Sequence, residues 1–268
     1  MQSIRKIIEE YRGKIPPSEI RAFICSATKQ SLEEVLLMDE AGDEIFFAVE
    51  KMCKRRLSGE FFSYIIKKKE FFGYEFFVNP SVLIPRPESE HIVEEALRLA
   101  RPNSKILDLC TGSGCIAITI AKESGANVIG SDISDKACIV ARKNVKIHKV
   151  ENQVQILQSS WFANIPKQKF DIITCNPPYI AYGDDRISPQ TKKQEPHLAL
   201  YSGDSGLEAY EAISSKAPEY LANHASIILE CGAGQDEAII PIFQKRNFKI
   251  IKCIKDLAGI VRVLSFEL

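Results

Sequence analysis

The nine residues Ile106-Leu107-Asp108-Leu109-Cys110-Thr111-Gly112-Ser113-Gly114 decide the fold, because a short apolar run ends there in a glycine turn. The helical pattern of residues 115–122 follows at once. From this point onward short apolar runs alternate with amphipathic segments, which is typical of an α/β protein with a doubly wound, mostly parallel sheet. Seven strands are predicted: Ile106–Leu109, Val128–Gly130, Val154–Leu157, Asp171–Thr174, Ile227–Leu229, Lys249–Cys253 and Val261–Phe266.

The first part of the chain has a different pattern. Apolar residues recur at helical spacing through residues 3–57. Helix starts are predicted at Ser18, at Ser31 with Glu34 as a capping box, and at Asp43. Three or four short helices at this spacing predict a small helical bundle.

The bundle and the sheet are separated by a segment of a third kind. Aromatic and β-branched residues run from Phe61 to Val78, with an interruption at Gly73, and predict a β-hairpin. We therefore predict an N-terminal helical domain at residues 1–60, a hairpin linker at residues 61–84 and an α/β domain at residues 85–268.

Composition excludes several classes of protein. The 268 residues hold 35 basic and 35 acidic side chains, so the chain has no net positive charge that would attract a nucleic-acid backbone. Eight cysteines without Cys-x-x-Cys pairs and four scattered histidines predict reduced thiols and no metal site. Charged residues within the first twelve argue against a signal peptide, and no apolar run is long enough to span a membrane. We expect a soluble, cytoplasmic monomer.

The glycine turn predicts a nucleotide pocket. Gly112 and Gly114 let the backbone approach a ligand closely, and Asp132 ends the next strand, where an acidic side chain can accept hydrogen bonds from ribose hydroxyls. With Ala117 the glycines also satisfy the looser dinucleotide fingerprint, so a NAD enzyme is an alternative. Asp108 favours S-adenosylmethionine, because a carboxylate beside the turn attracts its cationic methionine part and repels a pyrophosphate.

A second motif, Asn176-Pro177-Pro178-Tyr179, follows the fourth strand. The prolines remove two backbone donors and leave carbonyl acceptors, and the Asn176 side chain adds another, so an NH2 group can donate to both. The Tyr179 ring is expected to cover the flat face of the substrate. These features predict methyl transfer to a planar NH2 group, whose hydrogens must be held to turn the nitrogen toward the methyl.

With these motifs, the chain resembles the HemK/PrmC family of protein-(glutamine-N5) methyltransferases over nearly its whole length. The family's hallmark run is present as Leu83-Ile84-Pro85-Arg86-Pro87-Glu88, followed by Glu90. Similar members also carry an aromatic after the third strand, here Trp161, a Glu-Pro with Ala-Leu beyond, here from Glu195 to Leu200, and the ending Asp256-Leu257-Ala258-Gly259.

The resemblance implies a Rossmann-like class I methyltransferase fold and a release factor methylation activity. The substrate it implies is the glutamine of the Gly-Gly-Gln loop of class I peptide release factors, presented partly to the N-terminal helices, with S-adenosylmethionine as cofactor and S-adenosylhomocysteine as product. Three sets of residues follow. The cofactor set is Asp108, Cys110, Thr111, Gly112, Ser113, Gly114, Asp132, Trp161 and Asn176; the catalytic set is Asn176, Pro177, Pro178 and Tyr179; and the substrate set adds Arg86 and Glu195.

The chain departs from the family pattern at three places, and the sequence leaves two other functions open. Cys110 and Ser160 replace the usual glycine and a frequent aspartate, and the segment 59–62 lacks a common proline. An N6-adenine or N4-cytosine methyltransferase could use the same cradle after base flipping, and Lys67 to Lys69 could contact phosphates. A non-catalytic adapter would bind the nucleoside and a partner protein without turnover.

Overall fold

The computed structural model describes residues 2–268. The helices are α1 (Ile4–Glu10), α2 (Pro17–Thr28), α3 (Leu32–Leu36), α4 (Asp43–Leu57), α5 (Phe62–Ile66), α6 (Glu90–Leu99), α7 (Cys115–Ser124), α8 (Asp135–His148), α9 (Pro189–Gln194), α10 (His197–Leu200), α11 (Glu208–Tyr220) and α12 (Asp236–Gln244). The strands are β1 (Gln2–Ser3), β2 (Glu40–Ala41), β3 (Lys68–Phe71), β4 (Tyr74–Phe77), β5 (Lys105–Leu109), β6 (Asn127–Asp132), β7 (Val154–Gln158), β8 (Phe170–Cys175), β9 (Leu221–Glu230), β10 (Lys249–Lys255) and β11 (Val261–Glu267).

The chain divides into two compact units. The first contains the chain up to Lys68 together with Pro189–Gln194, and the second contains Lys69–Ser188 and Glu195–Leu268. Helix α9 joins the first unit through its side-chain amide groups, since the Nε2 atoms of Gln190 and Gln194 both donate to the backbone oxygen of Gly59. The sequence gives no signal for this return of a distant segment to the helical unit.

The first unit is built from α1 to α5 and α9 around an apolar core. Ile20, Phe23 and Ile24 of α2 are almost fully buried and pack with Val49 and Cys53 of α4, as the helical spacing predicts. This core explains why short helices that would be marginal alone are formed here.

The predicted helix starts in the first unit are found in the structure. The side chain of Ser31 accepts from the backbone N of Glu34, and the Glu34 carboxylate accepts from the backbone N of Ser31, which completes a capping box. Helix α4 begins at Asp43, and α2 begins at Pro17, one residue before the predicted Ser18.

The predicted hairpin is shorter than its sequence pattern suggests. Residues 62–66 form α5, which buries Tyr64 and Ile65, so this part of the aromatic segment is helical. The hairpin itself consists of β3 and β4, joined by Phe72 and Gly73, which both have positive φ (52° and 74°). Such angles are those of a type I′ turn, whose twist matches paired strands.

The second unit contains all seven strands that the sequence predicts. Within residues 2–268 they form one sheet in the order β10-β11-β9-β8-β5-β6-β7, with β11 antiparallel to both neighbours and the other pairs parallel. One face of the sheet is covered by apolar residues of α6, α7 and α8, and the other by those of α11 and α12. The fold is therefore the predicted doubly wound α/β arrangement.

The sheet also fixes where a ligand can bind. Strand β5 lies between β6 and β8. The chain runs from β5 through β6 to β7 on one side of β5 and then crosses to β8 on the other side, so the strand order reverses at β5. In such sheets a crevice opens beyond the carboxyl ends of the strands at this reversal. The loops after β5, β6, β7 and β8 are thus expected to meet in one site.

Candidate active site

One cavity of about 350 Å³ lies at this edge of the sheet, entirely within the second unit. Its wall is formed by the loops that follow β5, β6, β7 and β8, by residues 81–86, and by residues 196–202. Most of the predicted cofactor residues reach it: Cys110, Thr111, Gly112, Ser113, Asp132, Trp161 and Asn176. The predicted separate motifs are therefore parts of one site.

The glycine turn has a backbone that most residues avoid. Gly112 and Gly114 have φ of 56° and 81°, and a Cβ on Gly114 would lie 3.2 Å from Ile118 Cδ1 and 3.3 Å from Ala141 Cβ. Glycine here lets the turn pack against α7 and α8. Cys110, one of the departures from the family pattern, also has a positive φ of 56°.

Asp132 ties two loops of the site together. One carboxylate oxygen accepts from the backbone N of Gly112 at 3.0 Å, and the other accepts from the backbone N of Ser134 at 2.9 Å. Burial raises the pKa of Asp132, and the backbone hydrogen bonds oppose that rise. The side chain therefore lies on the cavity wall in a fixed position, where the sequence predicted a ribose contact.

Asp108 is not on the cavity wall, in contrast to its predicted contact with the cofactor. It is fully buried, and its two oxygens accept from Thr111 Oγ1 at 2.6 Å and from Thr174 Oγ1 at 2.8 Å. Burial raises the pKa of this carboxyl to about 7. The side chain therefore holds the turn to β8 and does not reach the cavity itself.

Trp161 and Ser160 mark the end of the cavity formed by the loop after β7. The loop is fixed from within, because Ser159 Oγ donates to the backbone oxygen of Trp161 at 2.8 Å and accepts from the backbone N of Asn164 at 3.0 Å. An indole held on the cavity wall provides an apolar face of the kind that stacks on an aromatic base.

Only two residues of the Asn-Pro-Pro-Tyr segment line the cavity. Asn176 and Pro178 line it, whereas Pro177 is buried elsewhere. The Tyr179 ring, predicted to cover the substrate, instead packs against Gly232, and its hydroxyl donates to Glu230 Oε1 at 3.3 Å. The ring therefore lies behind the cavity wall, with its hydroxyl paired to a buried carboxylate.

The hallmark run is held in place by a buried carboxylate. Glu195 Oε1 accepts from the backbone N of Ile84 at 3.1 Å, and Glu195 Oε2 accepts from Arg86 Nη2. The Glu195 side chain has no exposed surface, and Arg86 reaches the cavity while Glu195 does not. Glu195 therefore supports Arg86, although the sequence predicted both as substrate contacts.

Three polar residues of the site were missed by sequence reasoning. Ser89 Oγ accepts from Asn176 Nδ2 at 3.0 Å and donates to Glu230 Oε2. Glu208 lines the cavity, and hydrogen bonds from backbone N–H groups, Ser205 first, lower the pKa of its carboxyl to about 2. Ser89 stands next to the hallmark run and Glu230 ends a strand, but no spacing in the sequence connects them.

The cavity wall also offers polar groups for a ligand. Among residues 2–268, Ser113 Oγ is buried on the wall and forms no hydrogen bond to a nitrogen or oxygen atom of the protein; its polar neighbour is the Cys115 thiol, a weak partner. A buried hydroxyl without a partner is costly, and a ligand carboxylate or amino group at the glycine turn would satisfy it. The residues present thus fit a nucleoside with an amino-acid tail. Among the described residues 2–268, no group of three or more His, Cys, Asp or Glu side chains is placed to hold a metal ion.

Comparison with known proteins identifies the family of the chain. Residues 90–192 match the family described as Methyltransferase small domain. The chain is 37% identical to the release factor glutamine methyltransferase of Neisseria gonorrhoeae over 262 residues, which cover 95% of each chain. The chain belongs to the release factor glutamine methyltransferase family. The resemblance inferred from the hallmark run and the Asn-Pro-Pro-Tyr segment is therefore confirmed.

Some relatives of this family are much longer. The bifunctional methyltransferase of Rickettsia felis is 37% identical over 282 residues, which cover 93% of this chain and 54% of the relative. The chain therefore spans about half the length of such relatives. Among solved structures, a methyltransferase from Pyrococcus furiosus has a TM-score of 0.57 at 20% identity and covers 74% of this chain and 91% of that one. This likeness shows the Rossmann-like methyltransferase fold.

Proposed function

We propose that this protein transfers a methyl group from S-adenosylmethionine to the side-chain amide nitrogen of the glutamine in the Gly-Gly-Gln motif of class I peptide release factors. The observation that carries the proposal is that Asp132 and Asn176 line one cavity. The first belongs to a nucleoside site and the second to a cradle for an NH2 group. The family of the chain, named for release factor glutamine methylation, supports the same substrate.

Cofactor binding is assigned to three parts of the wall. Asp132 accepts hydrogen bonds from the ribose hydroxyls, and Trp161 stacks on the adenine. The turn from Thr111 to Gly114 holds the methionine part, with Ser113 Oγ as a donor to its carboxylate. When bound, S-adenosylmethionine supplies an electrophilic methyl group on a sulfonium.

The substrate amide is positioned by Asn176 and the proline carbonyls beside it. Because Asn176 Nδ2 donates to Ser89 Oγ, Asn176 Oδ1 is the acceptor on the other side of the planar group. Holding both N–H bonds of the glutamine orients its nitrogen for attack, and acceptor oxygens stabilise the positive charge that develops there. A general base is not required before attack, because the product nitrogen is acidic and loses its proton afterwards.

Recognition of the release factor as a protein is assigned to the first unit. Its surface exposes several large apolar side chains, among them Leu37, at 85% relative exposure, and Phe47, at 72%. Where such side chains adjoin, they form an apolar patch of the kind that favours contact with another protein. Such a substrate also fits the balanced charge of the chain, which offers little to a nucleic-acid backbone.

We expect the protein to act on release factors as a monomer in the cytoplasm. Within residues 2–268 no helix has the length and apolar character that crossing a membrane requires.

The direct test is methyl transfer from labelled S-adenosylmethionine to three acceptors. These are a class I release factor, the same factor with its Gly-Gly-Gln glutamine replaced by alanine, and duplex DNA. We expect label only in the first. Label in DNA would favour the nucleic-acid methyltransferase, and cofactor binding without transfer to any acceptor would favour the non-catalytic adapter.

A further inference from the structure

A chain of hydrogen bonds extends from the cavity into the core behind it. Asn176 Nδ2 donates to Ser89 Oγ at 3.0 Å, Ser89 Oγ donates to Glu230 Oε2, and Tyr179 Oη donates to Glu230 Oε1 at 3.3 Å. Ser89 and Glu230 are 2% and 3% exposed, so water does not replace these bonds. The elements involved are the turn before α6, the end of β8 and the end of β9.

The direction of this chain depends on the carboxyl group at its far end. Ser89 has one hydroxyl hydrogen, and an ionised Glu230 accepts it, which leaves the oxygen of Ser89 free to accept from Asn176 Nδ2. A protonated Glu230 can instead donate to Ser89 Oγ. The serine hydrogen is then free for Asn176 Oδ1, and the amide turned in this way presents Nδ2 to the cavity. A donor there repels the NH2 group of a substrate.

We propose that Glu230, acting through Ser89, is a positioning residue that keeps Asn176 Oδ1 directed at the substrate, and that it does so only when it is ionised. The proposal rests on the function proposed above, because the orientation matters only for an acceptor that donates N–H groups. It assigns a role to Glu230, which lies behind the cavity wall, and to Ser89, which connects it to Asn176 at the wall.

The surroundings of Glu230 place its titration in a useful range. Burial raises the pKa of Glu230 most, and the nearby Glu88 adds a smaller rise. The hydrogen bonds from Ser89 and Tyr179 and the positive charge of Arg262 lower it, and the net pKa is about 7. The productive ionised form therefore predominates above about pH 7 and is lost as the pH falls through that value. Methyl transfer should fall with it.

The first test replaces Glu230 by glutamine, which has the same shape but cannot ionise. We expect Glu230→Gln to lower the single-turnover rate by about tenfold or more above neutral pH and to change the affinity for S-adenosylmethionine by less than about twofold. The rise in wild-type rate between about pH 6 and 8 should disappear. Glu95→Gln is the matched control, because Glu95 is equally buried but is paired with Arg98 and Lys252 away from the cavity. This control should keep the wild-type pH profile.

A second pair of variants tests the middle of the chain. Ser89→Thr keeps a hydroxyl and should keep the wild-type pH profile, whereas Ser89→Ala should lose both the rate and its pH dependence. A purely structural role of Ser89 would lower stability in both variants without changing the profile. Equal rates and profiles for the alanine and threonine variants would overturn the proposal.

A readout without substrate separates this inference from the proposed function. In protein labelled with ¹⁵N-asparagine, the side-chain amide resonance of Asn176, assigned by its loss in Asn176→Asp, should shift with a midpoint near pH 7. The shift should vanish in Glu230→Gln and Ser89→Ala and remain in Glu95→Gln. The inference is overturned if the chemical shift of the Asn176 amide does not change with pH, or if it changes with the same midpoint in Glu230→Gln as in the wild type. Failure of the wild type to methylate a release factor overturns only the proposed function.

Discussion

At the scale of single residues, Asp132 has the most defined task, because its two oxygens already bind the backbone N–H groups of Gly112 and Ser134. Replacing it by alanine removes a charged acceptor, so we expect Asp132→Ala to weaken S-adenosylmethionine binding by about 1.5 to 3 kcal/mol. Isothermal calorimetry measures this directly. Asp135→Ala, an exposed aspartate at the start of α8, is the control and should bind normally. Unchanged affinity of Asp132→Ala would contradict the ribose contact.

Cys110 occupies the position where the family pattern described above usually has a glycine. Its φ of 56° is one that glycine adopts without strain, and the residue lies at the cavity wall with its thiol against that of Cys175. We therefore expect Cys110→Gly to keep or increase the rate of methyl transfer and the affinity for the cofactor. Cys25→Gly, a half-buried thiol inside α2, should instead lower stability without changing cofactor affinity. A large loss of activity in Cys110→Gly would mean that the thiol itself is needed.

At the scale of elements, the carboxyl ends of β5 and β8 are joined by Asp108, whose oxygens bind Thr111 and Thr174. Its pKa is about 7 in the folded protein, against 3.8 for the unperturbed group. The folded state therefore binds more protons than the unfolded state between these values. The contribution of protonated Asp108 to the free energy of unfolding is therefore fully present below about pH 4 and is lost as the pH rises through about 7.

This linkage can be measured with Asp108→Asn. In the wild type, Asp108 should lower the free energy of unfolding by about 1.4 kcal/mol per pH unit across that window. The asparagine variant should lose this part of the slope in urea denaturation at a series of pH values. Asp135→Asn, whose side chain is exposed, should keep the wild-type slope. An unchanged slope in Asp108→Asn would show that the buried carboxyl does not titrate in this range.

The elements also show how far the sequence alone could go. All seven sheet strands were predictable, because buried parallel strands appear as short apolar runs between helical segments. Residues 62–66 were predicted as strand and form α5, since a short aromatic and β-branched segment fits either structure and packing against the bundle decides. The ring of Phe62 lies 5.6 Å from that of Phe23, a contact that local sequence cannot reveal.

Within the site, the sequence predicted which residues come together better than where they point. Cys110 to Ser113, Asp132, Trp161 and Asn176 all reach the cavity, because strand ends place them there. The directions of Asp108 and Tyr179 depend on Thr174 and Glu230, which lie 66 and 51 positions away in the chain. Partners at such separations have no pattern in the sequence.

At the scale of the whole molecule, the fold brings the cofactor loops and the Asn-Pro-Pro-Tyr segment to one edge of one sheet, so catalysis should depend on Asn176 more than cofactor binding does. We expect Asn176→Ala to lower turnover by about a hundredfold or more, because one preorganised acceptor is lost. Asn176→Asp keeps an acceptor of the same shape and should retain part of the activity. In both variants the affinity for S-adenosylmethionine, measured by calorimetry, should fall far less than the turnover measured by steady-state kinetics. An alanine variant with wild-type turnover would show the cradle to be dispensable.

The central claim is that the methyl group goes to one glutamine side chain, and mass spectrometry of the acceptor tests this most directly. A class I release factor incubated with the protein and S-adenosylmethionine is digested, and its Gly-Gly-Gln peptide is fragmented. We predict the added mass of one methyl group on the glutamine side chain, and none when the Asn176→Ala variant replaces the wild type. A release factor that stays unmodified at this glutamine while the protein methylates another residue or a nucleic acid would contradict the account.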